Sequence, residues 1–361
     1  MSILALVEDR PTPKAVYNWR VYLTACVAGS AAIMIGYDSA FIGGTLALPS
    51  FRDEFGFENM AKTEVSFLTA NIVSCYQAGA FFGAFFAYPF GHYYGRRWGL
   101  FIFAGVFILG AGMMLGANAD RGLGLIYGGR VLAGIGVGAA SNLSPIFCSE
   151  ISPPAIRGRL VGLYEMSWQI GGLVRFVSSL SGRALVNGAN NLQWINYGVS
   201  TTMAPSHTQW IIPFAVQIIP AGMLMIGCFL IKESPRWLFQ AGKREQAIQN
   251  LCWLRNLPED HVYMQEEISA IDYAIEQQAT TMGLGFWQPF KAVFNSRRIM
   301  YRFLLGGSLF MWQNGTVSTP HHLIRIFYGS FADLFRVLMP STTILPPSSN
   351  PSASLALTPL S

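Results

Sequence analysis

Charge is what this chain has least of. Only 12% of its 361 residues are Asp, Glu, Lys or Arg, against 52% that are hydrophobic, and the mean hydropathy is +0.37. A soluble globular domain carries about 25% charged residues, so the balance excludes an ordinary soluble fold and points to a polytopic membrane protein. Cysteine is sparse too. Cys26, Cys75, Cys148, Cys228 and Cys252 show neither paired nor metal-like spacing, and four lie in apolar runs, which argues against disulfides and for small buried hydrophobes. The chain also lacks a Gly-rich phosphate loop with its Lys, a Ser/His/Asp set and a cluster of metal ligands, so an ATP-driven pump and an enzyme are both disfavoured. His321-His322 does not make a metal site, because adjacent residues point apart and no carboxylate or Cys accompanies them. No cofactor is expected. The formal charge of +5 is dispersed among short loops, which fits orientation signalling and argues against nucleic acid as a partner. The opening residues MSILALVEDRPTPK have acidic residues at their centre and no cleavage site after an apolar core, so the first span is expected to insert uncleaved.

What the chain has is long apolar runs. Residues 21–44, 65–90, 98–117, 131–147, 160–173 and 210–231 approach the ~20 residues that cross a bilayer, and a further run begins near Phe303. The expected fold is therefore all-α, a polytopic membrane helical bundle. Gly134, Gly136, Gly138, Ala139 and Ala140 give the fourth run a small-residue face, and Gly79 and Gly83 do the same for the second, as close packing of helices in lipid requires. Arg130 is expected to open the fourth span, 91–97 to form a basic turn, and Pro213 and Pro220 to kink the sixth span. Polar residues inside spans carry the functional signal. Asp38 lies in the first, where a carboxylate costs ~2.5–3.5 kcal/mol and needs a partner, a proton or a function. Glu165 and Gln169 lie in the fifth and by the same argument face protein or a wet cavity. Between 242 and 278, Met264, Ile268, Ile271 and Ile275 recur at helical spacing and read as short amphipathic helices beneath the bundle.

The run from Arg130 through Gly134, Gly136 and Gly138 to Pro145, Glu150 and Arg157-Gly158-Arg159 resembles the fourth helix, turn and fifth helix of the sugar-porter family of the major facilitator superfamily. Its flanks are most similar to those of fungal quinate permeases. The resemblance covers roughly residues 19–316 and includes Gly95-Arg96-Arg97 and Glu233-Ser234-Pro235-Arg236. It implies an N-terminal six-helix half plus the start of a seventh helix, and a proton carried by Asp38 beside Arg130. It further implies a pocket lined by Glu165, Gln169, Gln313 and Asn314, and conformational gate motifs at Gly95, Arg96, Arg97, Glu150, Arg157, Gly158, Glu233 and Arg236.

Two departures stand out. His92 and Tyr93 occupy the places of an aspartate and an arginine, and Glu165 occupies that of a glutamine; ionised, it accepts hydrogen bonds but does not donate them.

The domain expectations follow: a cytoplasmic tail over 1–20, a six-span half over 21–231, a cytoplasmic loop over 232–302, the start of a seventh span over 303–316, and a non-family tail over 317–361. Residues 177–193 interrupt the fifth span with Arg183, Asn187, Asn190 and Asn191, and both this stretch and the loss of family text after Thr316 read as unspliced introns. Loop charges place the N-terminus in the cytoplasm, in what is expected to be the plasma membrane. The expected function is proton-coupled uptake of quinate or a related sugar or polyol, inactive in a truncated chain. A nutrient sensor on the same scaffold is the alternative. Membrane lipid is an expected partner; self-association is left open.

Overall fold

The computed structural model describes residues 12–173, 203–282, 287–297, 299–301 and 303–308. All regular elements among the described residues are helical. In chain order they are α1 (Trp19–Thr45), α2 (Pro49–Glu54), α3 (Lys62–Tyr93), α4 (Arg96–Leu115), α5 (Gly124–Ile151), α6 (Arg157–Leu173), α7 (His207–Val216), α8 (Ile218–Leu230), α9 (Pro235–Gln240), α10 (Arg244–Arg255), α11 (Val262–Met282) and α12 (Gln288–Asn295). The chain divides into two units, residues 1–280 and 281–361, and the second contributes α12 and the helical residues 303–308. The interrupting stretch 177–193, the family-like residues 309–316 and the tail 317–361 lie outside the described residues.

Among the described residues, five stretches are long and apolar enough to cross a membrane: the helices ending at Thr45, Tyr93, Leu115 and Ile151, and the α7–α8 pair. The fifth span, α6, is described for 17 residues. Lacking a hydrophobic drive between helices, the bundle is held by close backbone approach, and α3 against α5 shows it best. A Cβ on Gly79 or Gly83 would run into the carbonyls of Val131 and Ile135, and one on Gly134 or Gly138 into those of Tyr76 and Ala80. The small-residue faces read from the sequence therefore meet each other. The α1–α6 crossing follows the same rule, with Gly36 against the Trp168 carbonyl and Gly171 against that of Ile33.

Three boundaries differ from the expected ones. Arg130 does not open its helix: α5 begins at Gly124, because Gly129 lets its first turns pack on the α4 backbone, where a Cβ would meet the Gly110 carbonyl at 2.6 Å. The basic turn is only Tyr94-Gly95, since α3 continues through Tyr93. Gly95 makes it possible at φ +95, a conformation that L side chains rarely adopt. The sixth span breaks at Gln217 between α7 and α8. Pro220 has no N–H to give the Val216 carbonyl, and its ring crowds that carbonyl, so the ladder is interrupted there, while Pro213 sits inside α7 without ending it. The cysteines are free, as expected, but only Cys148 and Cys228 are buried, and Cys26 is exposed.

Beneath the spans, the amphipathic segment is helical. Met264 and Ile268 bury against Leu251, with Ile271 packed alongside. Buried Arg255 donates to the Ile151 carbonyl at the end of α5 (2.8 Å) and pairs with Glu267 (2.6 Å). Asn18 works at both ends of a junction: its Oδ1 accepts from the Arg20 N–H (2.8 Å) to cap α1, and its Nδ2 donates to the Leu254 carbonyl (2.7 Å) near the end of α10.

Candidate functional site

Asp38 and Arg130 meet inside the bundle. Arg130 Nη1 donates to Asp38 Oδ1 at 3.0 Å, and the two side chains are 1% and 0% exposed. α1 brings the carboxylate and α5 the guanidinium, and the small residues around Arg130 allow the helices to come this close. α3 adds a third member that the sequence reading missed. The Arg130 guanidinium lies 4.3 Å from the centre of the Tyr76 ring and 5.7 Å from that of Phe41. The Tyr76 hydroxyl sits beside Asp38 without a well-aligned hydrogen bond, and among the described residues Asp38 Oδ2 and Arg130 Nε also lack partners.

A pair taken out of water recovers its desolvation cost only when its remaining lone pairs and protons are satisfied, and here they are not. The arrangement is one in which a proton added to Oδ2 would find an oxygen with spare acceptor capacity and a cation already screened by two rings.

A second constellation closes the same end of four helices. Glu233, between α8 and α9, accepts from the backbone N–H groups of Arg96 (3.0 Å), Arg97 (3.1 Å) and Ser234 (2.9 Å). It thereby occupies the N-terminus of α4, where unpaired N–H groups and the helix dipole favour an anion. A Cβ at Gly95 would strike its carboxylate, so the glycine serves both the turn and this approach. Burial nonetheless holds the Glu233 carboxyl above its ordinary value, against the pull of those N–H groups and Arg96. Arg96 pairs with Glu150 at 3.0 Å and donates to the Gly91 carbonyl at 2.7 Å, and Ser234 donates to the other Glu150 oxygen at 2.6 Å. Arg97 Nε donates to the Cys228 carbonyl at 2.6 Å. Where the family has its aspartate, His92 contributes a backbone carbonyl that accepts from Trp237 Nε1 at 2.9 Å.

Gly95, Arg96, Arg97, Glu150 and Glu233 are thus brought together. Arg157 and Gly158 are exposed at the start of α6, and Arg236 is half-buried in α9; among the described residues no hydrogen bond or ion pair joins them to this network.

Glu165 and Gln169 lie one turn apart on the exposed face of α6, with Met166 and Ile170 beside them. Gln313 and Asn314 lie outside the described residues. Half of the expected pocket is therefore an open face, with an acceptor and an amide at helical spacing suited to hydroxyl groups.

A family model for sugar (and other) transporters matches residues 23–318. A probable quinate permease of Aspergillus fumigatus is 66% identical over 316 residues, covering 88% of this chain and 55% of that protein. One from Aspergillus niger is 63% identical, covering 88% and 56%. Among solved structures, the major facilitator superfamily proton:xylose symporter XylE bound to 6-bromo-6-deoxy-D-glucose aligns with a TM-score of 0.60 at 26% identity, covering 73% of this chain and 55% of that one. A partially occluded inward-open form of the xylose transporter XylE from E. coli gives the same TM-score at 25% identity, covering 73% and 61%. The chain spans about half the length of the curated relatives it matches.

Proposed function

The chain belongs to the sugar (and other) transporter family, and from that premise we propose that it supplies the N-terminal half of a proton-coupled carrier for quinate or a related sugar or polyol. The observation that carries the proposal is the buried Asp38–Arg130 pair with its uncommitted Oδ2. A coupling site has to hold its proton in one state and release it in another, and desolvation of the acid and attraction to the base pull in opposite directions, so small movements of α1 against α5 decide which dominates. Substrate would lie between this half and a second one, as in carriers whose site sits between rocking repeats. Glu165 and Gln169 would face it from α6, and Gln313 and Asn314 from the far side. Glu165 would accept from hydroxyls, and its charge state would discriminate an acid such as quinate from a neutral sugar.

The network of Gly95, Arg96, Arg97, Glu150 and Glu233 would act as the cytoplasmic gate, with Arg157, Gly158 and Arg236 joining it in another state. Orientation follows from charge. The α3–α4, α5–α6 and α8–α9 junctions converge on this network and carry Arg96, Arg97, Arg157, Arg159, Lys232 and Arg236, which supports a cytoplasmic placement for that end and for the N-terminus, in a plasma membrane.

The test uses a chimera in which residues 1–316 are followed by the second half of the Aspergillus fumigatus relative, expressed in cells that lack quinate uptake. Asp38→Asn should abolish pH-driven accumulation of labelled quinate while leaving exchange across the membrane. A variant that still concentrates quinate against its gradient would remove Asp38 from the coupling step.

A further inference from the structure

At the end of the bundle where α3 and α4 meet α9 and α10, the structure holds an open cavity of about 510 Å³ that shares Arg97 and Glu233 with the gate network and extends beyond it. Arg97, Lys232 and Lys243 line it, together with Tyr93, Trp98 and Gln246. Its one carboxylate, Glu233, is committed to backbone N–H groups. None of the three cations is in an ion pair among the described residues. Lys232 rests 5.6 Å from the Trp253 ring and Lys243 5.8 Å from that of Trp237, contacts that position an ammonium group while leaving its N–H donors unspent. Arg97 commits Nε to a carbonyl and keeps its other two nitrogens. Gln246 belongs to the first turn of α10, a 12-residue helix whose N-terminus has no side-chain cap. Three cations and an open helix start around one cavity select a multivalent oxyanion, and phosphate matches them best.

We infer that this cavity seats the phosphate of an anionic phospholipid whose acyl chains run along α8. The surroundings favour a lipid over free phosphate. Tyr93 and Trp98, exposed at helix ends, are the residue types of a membrane–water interface. α8 ends two residues before Lys232 and exposes Met223, Ile226, Phe229 and Leu230, an apolar surface leading from the spans to the basic cavity. Basic pockets against spans at the cytoplasmic surface are where anionic head groups bind.

The test is native mass spectrometry of the purified 361-residue chain in detergent, titrated separately with dioleoylphosphatidylglycerol, dioleoylphosphatidylcholine and inorganic phosphate. The expected result is a retained phosphatidylglycerol adduct, a much weaker phosphatidylcholine one, and no displacement by equimolar phosphate. At about 1 kcal/mol per cation, Lys232→Gln with Lys243→Gln should weaken the phosphatidylglycerol adduct roughly 30-fold, and the double Arg replacement should retain it. If the double Gln chain loses its helical circular dichroism, Lys243→Gln alone, at an exposed residue, carries the comparison with a loss of about fivefold. Equal binding of the two lipids, or no loss in the Gln variant, overturns the site. Displacement by equimolar phosphate overturns the lipid and leaves a soluble phosphate as the ligand. Since the readout is lipid mass and not uptake, it stands or falls independently of proton coupling.

Discussion

Tyr76 is the residue on which the candidate coupling site most depends beyond the ion pair itself. A guanidinium held over an aromatic face away from water gains about 2 kcal/mol, comparable to the imbalance a buried pair must resolve. The ring at 4.3 Å therefore restricts where Arg130 can go, while the hydroxyl beside Asp38 adds a polar neighbour. In the chimera, Tyr76→Phe keeps the ring and should keep most pH-driven quinate uptake. Tyr76→Leu should lower it by roughly 30-fold, the equivalent of about 2 kcal/mol, with exchange much less affected. Loss of exchange and uptake in parallel would mean that Tyr76 serves only packing. Asp38 was legible in the sequence because charge inside a span is costly and stands out, and Arg130 beside it came from the family resemblance. Tyr76 was not, because an aromatic in an apolar run has an ordinary reason to be there, and only the crossing of α3 with α5 shows what it faces.

The spans were readable from hydropathy, and their ends were not. Hydropathy falls where charges gather, but backbone hydrogen bonding continues until a glycine, a proline or a partner stops it; hence α3 runs through Tyr93 and α5 starts before Arg130. The glycine spacing on α3 and α5 correctly announced a close crossing. The ties of Arg255 to Ile151 and of Asn18 to Leu254 span 104 and 236 positions, and no local pattern encodes them.

At the α3–α4 turn, Glu233 makes a prediction with a definite sign. Its carboxyl is raised above 4.5 by burial, so between that value and its folded one the folded chain binds more protons than the unfolded chain. Its contribution to stability is therefore present at low pH and falls as pH rises through that window. Glu233→Gln keeps an acceptor for the N–H groups of α4 but does not titrate, so it should remove this part of the pH slope. Thermal unfolding of the purified chain across that window, wild type against variant, checks it; an unchanged slope would show that Glu233 stays ionised throughout.

On the scale of the molecule, the question is what the described helices leave uncovered. α1 and α5 are the interior helices, 76% and 61% buried along their apolar stretches, whereas α3 is only 17% buried and exposes Phe81, Phe82, Phe85 and Phe86. Lipid accepts those phenylalanines without cost. α6 is different, because its exposed face alternates Leu163, Met166 and Ile170 with Glu165 and Gln169. An acidic side chain facing hydrocarbon at a helix centre costs about 2.5–3.5 kcal/mol, and an amide without partners adds to it. Such a face is stable against protein or a wet cavity, which is what a second half would provide. Expressed alone, the 361-residue chain is therefore expected to insert poorly and to show no saturable quinate uptake. Co-expression with the second half of the Aspergillus fumigatus relative as a separate polypeptide should cover α6, raise the amount of membrane-inserted chain and restore uptake. Glu165→Leu with Gln169→Leu should raise insertion of the chain expressed alone, because it removes the polar groups that lipid rejects, and should abolish uptake in the co-expressed pair. Saturable, pH-dependent uptake by vesicles containing this polypeptide alone would mean that two copies, or the residues outside the described ones, complete the site instead.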